Sequence, residues 1–166
     1  LCLAHMSEEG YEQKYVKEAF DTNWVVPMGP NVNAFEQNLA DFANRCSDGT
    51  DLDRKVVCLS AGTAAIHLAL VACGVKAGDE VCVQSFTFCA SSNPITYLGA
   101  KPVFIDSERT TWNMDPELLE RAIVDRIEKI GKKPKAIIPV YLYGMPAKMD
   151  KIMAIWKSNS SFFRSC

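Results

Sequence analysis

Long apolar runs, an excess of basic charge and paired-cysteine motifs are all missing from this sequence. No stretch nears the ~20 apolar residues that a helix needs to cross a bilayer, so no membrane span is expected. Lys and Arg total 18 against 20 Asp and Glu, a net charge of −2, and the pI is near 5.7. Such a balance lacks the basic footprint of a nucleic-acid binder. Seven cysteines are present, an odd number, and no two have C-x-x-C spacing. That argues against both a disulfide framework and a zinc site, so no metal is expected. Cys58 and Cys82 lie in strand-like runs and Cys73 ends a helix-like one. They read as small buried hydrophobes in a reducing compartment, the cytoplasm. The opening Leu1–Met6 has neither a basic n-region nor a long apolar h-region, so it is not read as a signal peptide. Position 1 is not methionine, which points to a reading frame that starts upstream.

What is present suits one compact α/β domain. The chain has 166 residues, 48% of them hydrophobic, enough for a sizeable core. Ser7, followed by Glu8 and Glu9, reads as the N-cap of a helix running to Asp21, with Tyr11, Tyr15, Val16, Ala19 and Phe20 at helical spacing. Two prolines and a glycine within Val25–Pro30 predict an irregular loop. Asn33 and Glu36 fit a capping box, with Phe35, Leu39 and Phe42 as the stripe of a second helix. An alternation of strands and helices follows. Strands are predicted at Val56–Leu59, Glu80–Val83, Pro102–Ile105 and Ala136–Leu142. Helices are predicted at Thr63–Cys73, Ala90–Leu98, from Asp115-Pro116 to Ile130, and Lys148–Trp156. For the third of these, Asp115 serves as N-cap, Pro116 as first residue, and Met114 with Leu119 as a hydrophobic staple. Its buried face is Leu118, Leu119, Ala122, Ile123, Ile127 and Ile130. This order implies right-handed crossovers and a mostly parallel sheet with helices on both faces.

The stretch richest in chemistry is Leu59-Ser60-Ala61-Gly62-Thr63-Ala64-Ala65-Ile66-His67-Leu68-Ala69-Leu70. A buried strand enters a turn of small residues and then an apolar helix, whose free N–H groups and dipole favour an anion. Gly62 permits close approach and Thr63 adds a hydroxyl. The glycine spacing matches neither a P-loop nor a dinucleotide fingerprint, so a Rossmann-type nucleotide module is disfavoured. From spacing alone, an ordinary turn capped by Ser60 or Thr63 stands beside the phosphate site. Phe88 alone reads as a core residue after a strand, His67 as a packed, hydrogen-bonded histidine, and Asp106 as the cap of a strand end. Asp125–Lys129 reads as a solvated helix face with i,i+4 pairs.

The same run resembles the S-x-G-T-A-A-x-H-L-A-L stretch of the DegT/DnrJ/EryC1/StrS family of sugar aminotransferases. Trp24–Val32, Gly78–Val81, Phe86–Ser91, Gly99–Asp106, Thr111–Pro116 and Tyr141–Asp150 are similar to family segments and follow in the family's order. The resemblance covers about Met6 to Ile155. It implies a fold-type I enzyme using pyridoxal 5′-phosphate, with Gly62 and Thr63 at the positions that hold the cofactor phosphate. Phe88 takes the aromatic position stacked on the pyridine ring, and Ser60 and Ala61 line the same turn. It further implies a nucleotide-linked keto-sugar as substrate, an amino donor such as glutamate, a homodimer, and a role in surface polysaccharide synthesis.

The family's Schiff-base lysine and its pyridine-nitrogen aspartate have no counterpart here, so no catalytic residue is assigned. Residues 1–155 are expected to be the N-terminal part of an incomplete cofactor-binding large domain. Residues 156–166 are expected to be a divergent tail, frameshifted or truncated. The alternatives that follow are a non-catalytic remnant of the fold and a related sugar dehydratase in which histidine replaces the lysine.

Overall fold

The computed structural model describes residues 5–45 and 54–158. The expected tail beyond Ser158, and Cys2, Cys46 and Cys166, lie outside the described residues. The chain divides into two units, Leu1–Cys58 and Leu59–Cys166.

The first unit holds α1 (Tyr11–Asp21) and α2 (Pro30–Arg45). α1 starts later than the Ser7 cap predicts, because Gly10 precedes it in a left-handed conformation at φ 69°. Ser7 still anchors the start. Its hydroxyl oxygen accepts from the Tyr11 N–H at 3.2 Å and donates to the Glu12 carboxylate at 2.6 Å. The predicted loop is present, and Gly29 is required in it. Its φ is 149°, and a Cβ there would lie 3.2 Å from the Trp24 ring. α2 begins at Pro30, ahead of the expected Asn33–Glu36 box. Glu36 instead accepts the Cys58 N–H at 2.7 Å, a contact 22 residues away that no local pattern announces. Only Ala40 of α2 is buried, and Phe35, Leu39 and Phe42 are exposed. The segment Val56–Leu59 is not a strand. A strand exists only where its backbone pairs, and no ladder reaches this segment among the described residues.

The second unit is the α/β part. Its sheet has the order β2-β1-β3, from β1 (Glu80–Gln84), β2 (Lys101–Ile105) and β3 (Ala136–Ile138), and both pairings are parallel. The strand period of two sends alternate residues to opposite faces. Val81 and Val83 pack with Leu70, Val75, Ile95 and Ala100 beneath α3 (Gly62–Ala72) and α4 (Asn93–Tyr97). Cys82 and Ile105 pack on the other face with Leu119 and Ile123 of α5 (Pro116–Ile130) and Ile152 and Ile155 of α6 (Met149–Ser158). The parallel sheet covered on both faces is therefore as expected.

The differences have local causes. The expected helix Ala90–Leu98 breaks into a 3₁₀ turn, Cys89–Ser91, and the short α4, with Pro94 in the first turn of α4. β3 stops at Ile138 because Pro139 has no N–H to continue the ladder. A second 3₁₀ turn, Leu142–Gly144, replaces the rest of that strand. α5 starts as predicted. Asp115 Oδ1 accepts the N–H groups of Glu117 and Leu118 at 2.8 and 3.4 Å, and Met114 and Leu119 share one buried cluster. Ile130, expected in the buried face, is 47% exposed in the last turn, beside the left-handed Gly131 that ends the helix. α6 continues to Ser158. Cys82 is fully buried as expected, whereas Cys58 and Cys73 are half-buried. Among the described residues no helix is long and apolar enough to cross a membrane.

Candidate functional site

The turn before α3 is an open helix start. Ala61 precedes the helix in extended conformation, with φ −163° and ψ 161°, and its carbonyl accepts the Ala65 N–H at 3.1 Å. The N–H groups of Gly62, Thr63 and Ala64 lie ahead of that first bond. No side chain caps them, and the first turn carries no acidic residue. Neither Ser60 nor Thr63 thus acts as a cap, which leaves the donors for an anion. Nothing lies within 4 Å of where a Cβ on Gly62 would be, so the approach to these donors is clear. Ser60, Ala61 and Gly62 are exposed and Thr63 is half-buried.

Phe88 stands just before the 3₁₀ turn Cys89–Ser91, which packs against α3. At 78% exposure it is not a core residue. Keeping a large aromatic face in water is unfavourable relative to covering it. An uncapped helix start with a hydroxyl, and an uncovered aromatic ring in the same unit, suit a phosphate and an aromatic heterocycle.

His67, on α3, meets Tyr97 edge-on with ring centroids 5.8 Å apart, so it is packed as expected. The hydrogen bond anticipated for it is absent among the described residues. Asp106 caps its strand end as expected. Its Oδ1 accepts the Ser107 N–H at 2.8 Å and the Ser85 hydroxyl at 3.4 Å. In the 125–129 cluster, Lys129 pairs with Asp125 at 2.6 Å. Arg126 turns partly inward, 3.8 Å from Glu80.

Three polar residues that the sequence did not single out organise the carboxyl end of the sheet. Gln84 and Asn113 are completely buried, and Glu108 nearly so. The Gln84 amide donates to the Phe86 carbonyl at 2.8 Å, while its oxygen accepts the Met114 N–H at 2.8 Å. Asn113 donates to the Met145 carbonyl at 2.8 Å and accepts the Leu142 N–H at 2.9 Å. The Glu108 carboxylate accepts the N–H groups of Thr110 and Thr111, each at 2.8 Å, and both of their hydroxyls. It also accepts Lys148 Nζ at 2.8 Å. That ammonium, then the two hydroxyls, hold the Glu108 carboxyl far below the usual carboxylate range. The loops after β1, β2 and β3 are thereby tied to one another, and buried polar groups so satisfied rigidify what they join. The one available signal was Asn113 within Thr-Trp-Asn-Met-Asp, a segment recognised without a role for that residue.

The family model for the DegT/DnrJ/EryC1/StrS aminotransferases matches residues 6–161. The chain is 50% identical over 151 residues to the putative pyridoxal phosphate-dependent aminotransferase EpsN of Bacillus subtilis, covering 91% of this chain and 36% of that protein. It is 39% identical to a GDP-perosamine synthase of Escherichia coli O157:H7, covering 92% of this chain and 38% of the relative. Among solved structures, the putative sugar aminotransferase Spr1654 from Streptococcus pneumoniae in its PMP form matches with a TM-score of 0.71 and 33% identity. That match covers 90% of this chain and 34% of the other. The chain thus spans little more than a third of the length of these relatives. It belongs to the DegT/DnrJ/EryC1/StrS aminotransferase family.

Proposed function

We propose that this chain supplies part of the cofactor grip of a pyridoxal phosphate-dependent aminotransferase acting on a nucleotide-linked keto-sugar. The amines it makes would serve surface polysaccharide synthesis. The observation that carries this reading is the uncapped start of α3, open above Gly62, in a member of this family. Gly62 and Thr63 would hold the phosphate through backbone N–H groups and the Thr63 hydroxyl. Phe88 would cover one face of the pyridine ring and exclude water from it, and Ser60 and Ala61 would line the turn. When bound, the cofactor supplies a carbonyl that takes up an amino group and a ring that withdraws electrons from the carbon carrying it. The chain's own residues bind and orient that group. The lysine and aspartate that complete the chemistry in the family are not assigned here. Glutamate as amino donor and a homodimeric assembly belong to the same proposal.

Equilibrium dialysis of pyridoxamine 5′-phosphate against the chain tests it. The amine form cannot condense with surface lysines, so retention reports the site alone. Retention should exceed that of pyridoxamine, which lacks the phosphate. Thr63→Ala should weaken it about 10-fold, the size of one lost bond to a charged group. Equal retention of both compounds would show that the turn does not read phosphate.

A further inference from the structure

Gln84 is out of keeping with the strand it ends. β1 reads Glu80-Val81-Cys82-Val83-Gln84, and from Val81 onward every residue is completely buried. An amide in that position is unfavourable unless its hydrogen bonds are made, and a methionine would fill a similar volume without that demand. The bonds are made. Oε1 accepts the Met114 N–H at 2.8 Å. Nε2 lies at longer range from the Trp112 carbonyl, 3.4 Å, and from Asn113 Oδ1, 3.5 Å. The loop after β2 therefore fixes the side chain. What that fixed amide holds in turn is the Phe86 carbonyl, to which Nε2 donates at 2.8 Å.

Phe86 belongs to a short segment, Ser85–Phe88, that joins β1 to the 3₁₀ turn Cys89–Ser91. At its start, the Ser85 N–H donates to the Ile105 carbonyl at 2.8 Å. At its far end, the buried Ser91 donates its N–H to the Phe88 carbonyl at 2.9 Å. The hydroxyls of Thr87 and Ser91 also lie 2.9 Å apart. Gln84 holds the middle, between these two anchorages. The Phe88 ring is 78% exposed, so side-chain packing does little to aim it. Its direction is set by the backbone that carries it.

We propose that Gln84 is a positioning residue, which fixes through the Phe86 carbonyl the segment that presents Phe88 to the cofactor ring. The inference rests on the proposed function and deepens it, by adding a buried residue that does not itself reach the cofactor. Without the amide, the Phe86 carbonyl and the Met114 N–H lose their partner and Phe88 samples more directions. The start of α3, built from its own backbone, is left as it was.

Equilibrium dialysis of pyridoxamine 5′-phosphate and of inorganic phosphate tests it. Gln84→Met should weaken pyridoxamine phosphate binding about 5-fold, the order of one lost aromatic pair, and leave phosphate binding unchanged. Phe88→Ala should do the same. The double variant should bind no more weakly than Phe88→Ala alone, because both losses pass through one ring. Gln84→Asn keeps the amide but falls one methylene short. It should reproduce the split, so the test survives if Gln84→Met does not fold. In the cofactor-free chain, amide hydrogen exchange at Ser91 should quicken in both Gln84 variants, while Ile137 of β3 stays slow. Equal losses of phosphate and pyridoxamine phosphate would mark a merely structural role and overturn the proposal. So would additive effects in the double variant, or unchanged exchange at Ser91. A chain that retains no pyridoxamine phosphate would sink the proposed function and this inference with it. Normal retention by both Gln84 variants would sink this inference alone.

Discussion

Glu108 is the residue on which the loop after β2 closes. Its carboxyl is held below the usual range by the Lys148 ammonium and the hydroxyls of Thr110 and Thr111, so the folded state binds its proton more weakly than the unfolded chain does. Stability from this group is therefore complete above the unfolded carboxylate pKa and lost as pH falls from there towards the depressed folded value. Urea unfolding of the chain should lose stability between about pH 5 and pH 3 more steeply than Glu108→Gln, which has no charge to lose. Matching pH profiles would show that the ion pair contributes nothing. Cysteine reactivity divides in a similar way. Burial, then the charge of Glu80, push the Cys82 thiol up to about 12, whereas Cys89 is exposed. A thiol reagent at neutral pH should label Cys89 within the native protein and Cys82 only on unfolding, because the thiolate is the reacting form. Peptide mapping after timed labelling distinguishes the two sites.

Among the elements, α5 is the best specified. Asp115 caps it, Pro116 begins it, Gly131 ends it, and its stripe faces the sheet. Asp115→Ala should lower stability by about 1 kcal/mol, the usual loss for a capping side chain. Ile123→Ala should lower it by roughly 2–5 kcal/mol, since Ile123 is almost fully buried. Urea midpoints measure both. α5 was legible because its determinants lie within one or two turns of each other. β1 and β2 were legible through short apolar runs bounded by turn residues. Val56–Leu59 has the same composition and failed as a strand, because pairing is not a property of the segment that pairs. Glu36 failed as half of a capping box for a related reason, its partner being Cys58. The candidate site shows the same division. The open helix start before α3 could be read from sequence because its donors are the backbone of consecutive residues. Gln84, Asn113 and Glu108 could not, because the partners through which they join one loop to another lie between 28 and 40 residues away. The residues alone made Phe88 a core residue, and its exposure was not legible, since an exposed and a buried phenylalanine look alike in a sequence.

On the scale of the whole molecule, much apolar surface remains in water. α3 is apolar around its entire circumference, which ordinarily marks a helix enclosed on all sides, yet Leu68 and Val71 are exposed. Phe86, Phe88, Trp112, Tyr141 and Tyr143 are also exposed in the same unit. The two outer strands of the sheet differ in what they present. On β2, the Lys101 N–H donates to Asp79 and the Ile105 carbonyl accepts from Ser85, both on the β1 side, so Pro102 and Phe104 face outward. Proline at 102 removes one of those two outward donors. On β3, the Lys135 N–H donates to Glu80, so Ile137 faces β1 while Ala136 and Ile138 face outward with their N–H groups intact. Amide hydrogen exchange should accordingly be fast at Ala136 and Ile138 and slow at Ile137. The sheet is thus a template with a direction. Proline bars new backbone from the β2 margin, and any strand added to this chain, in register and in parallel, would be laid down beside β3.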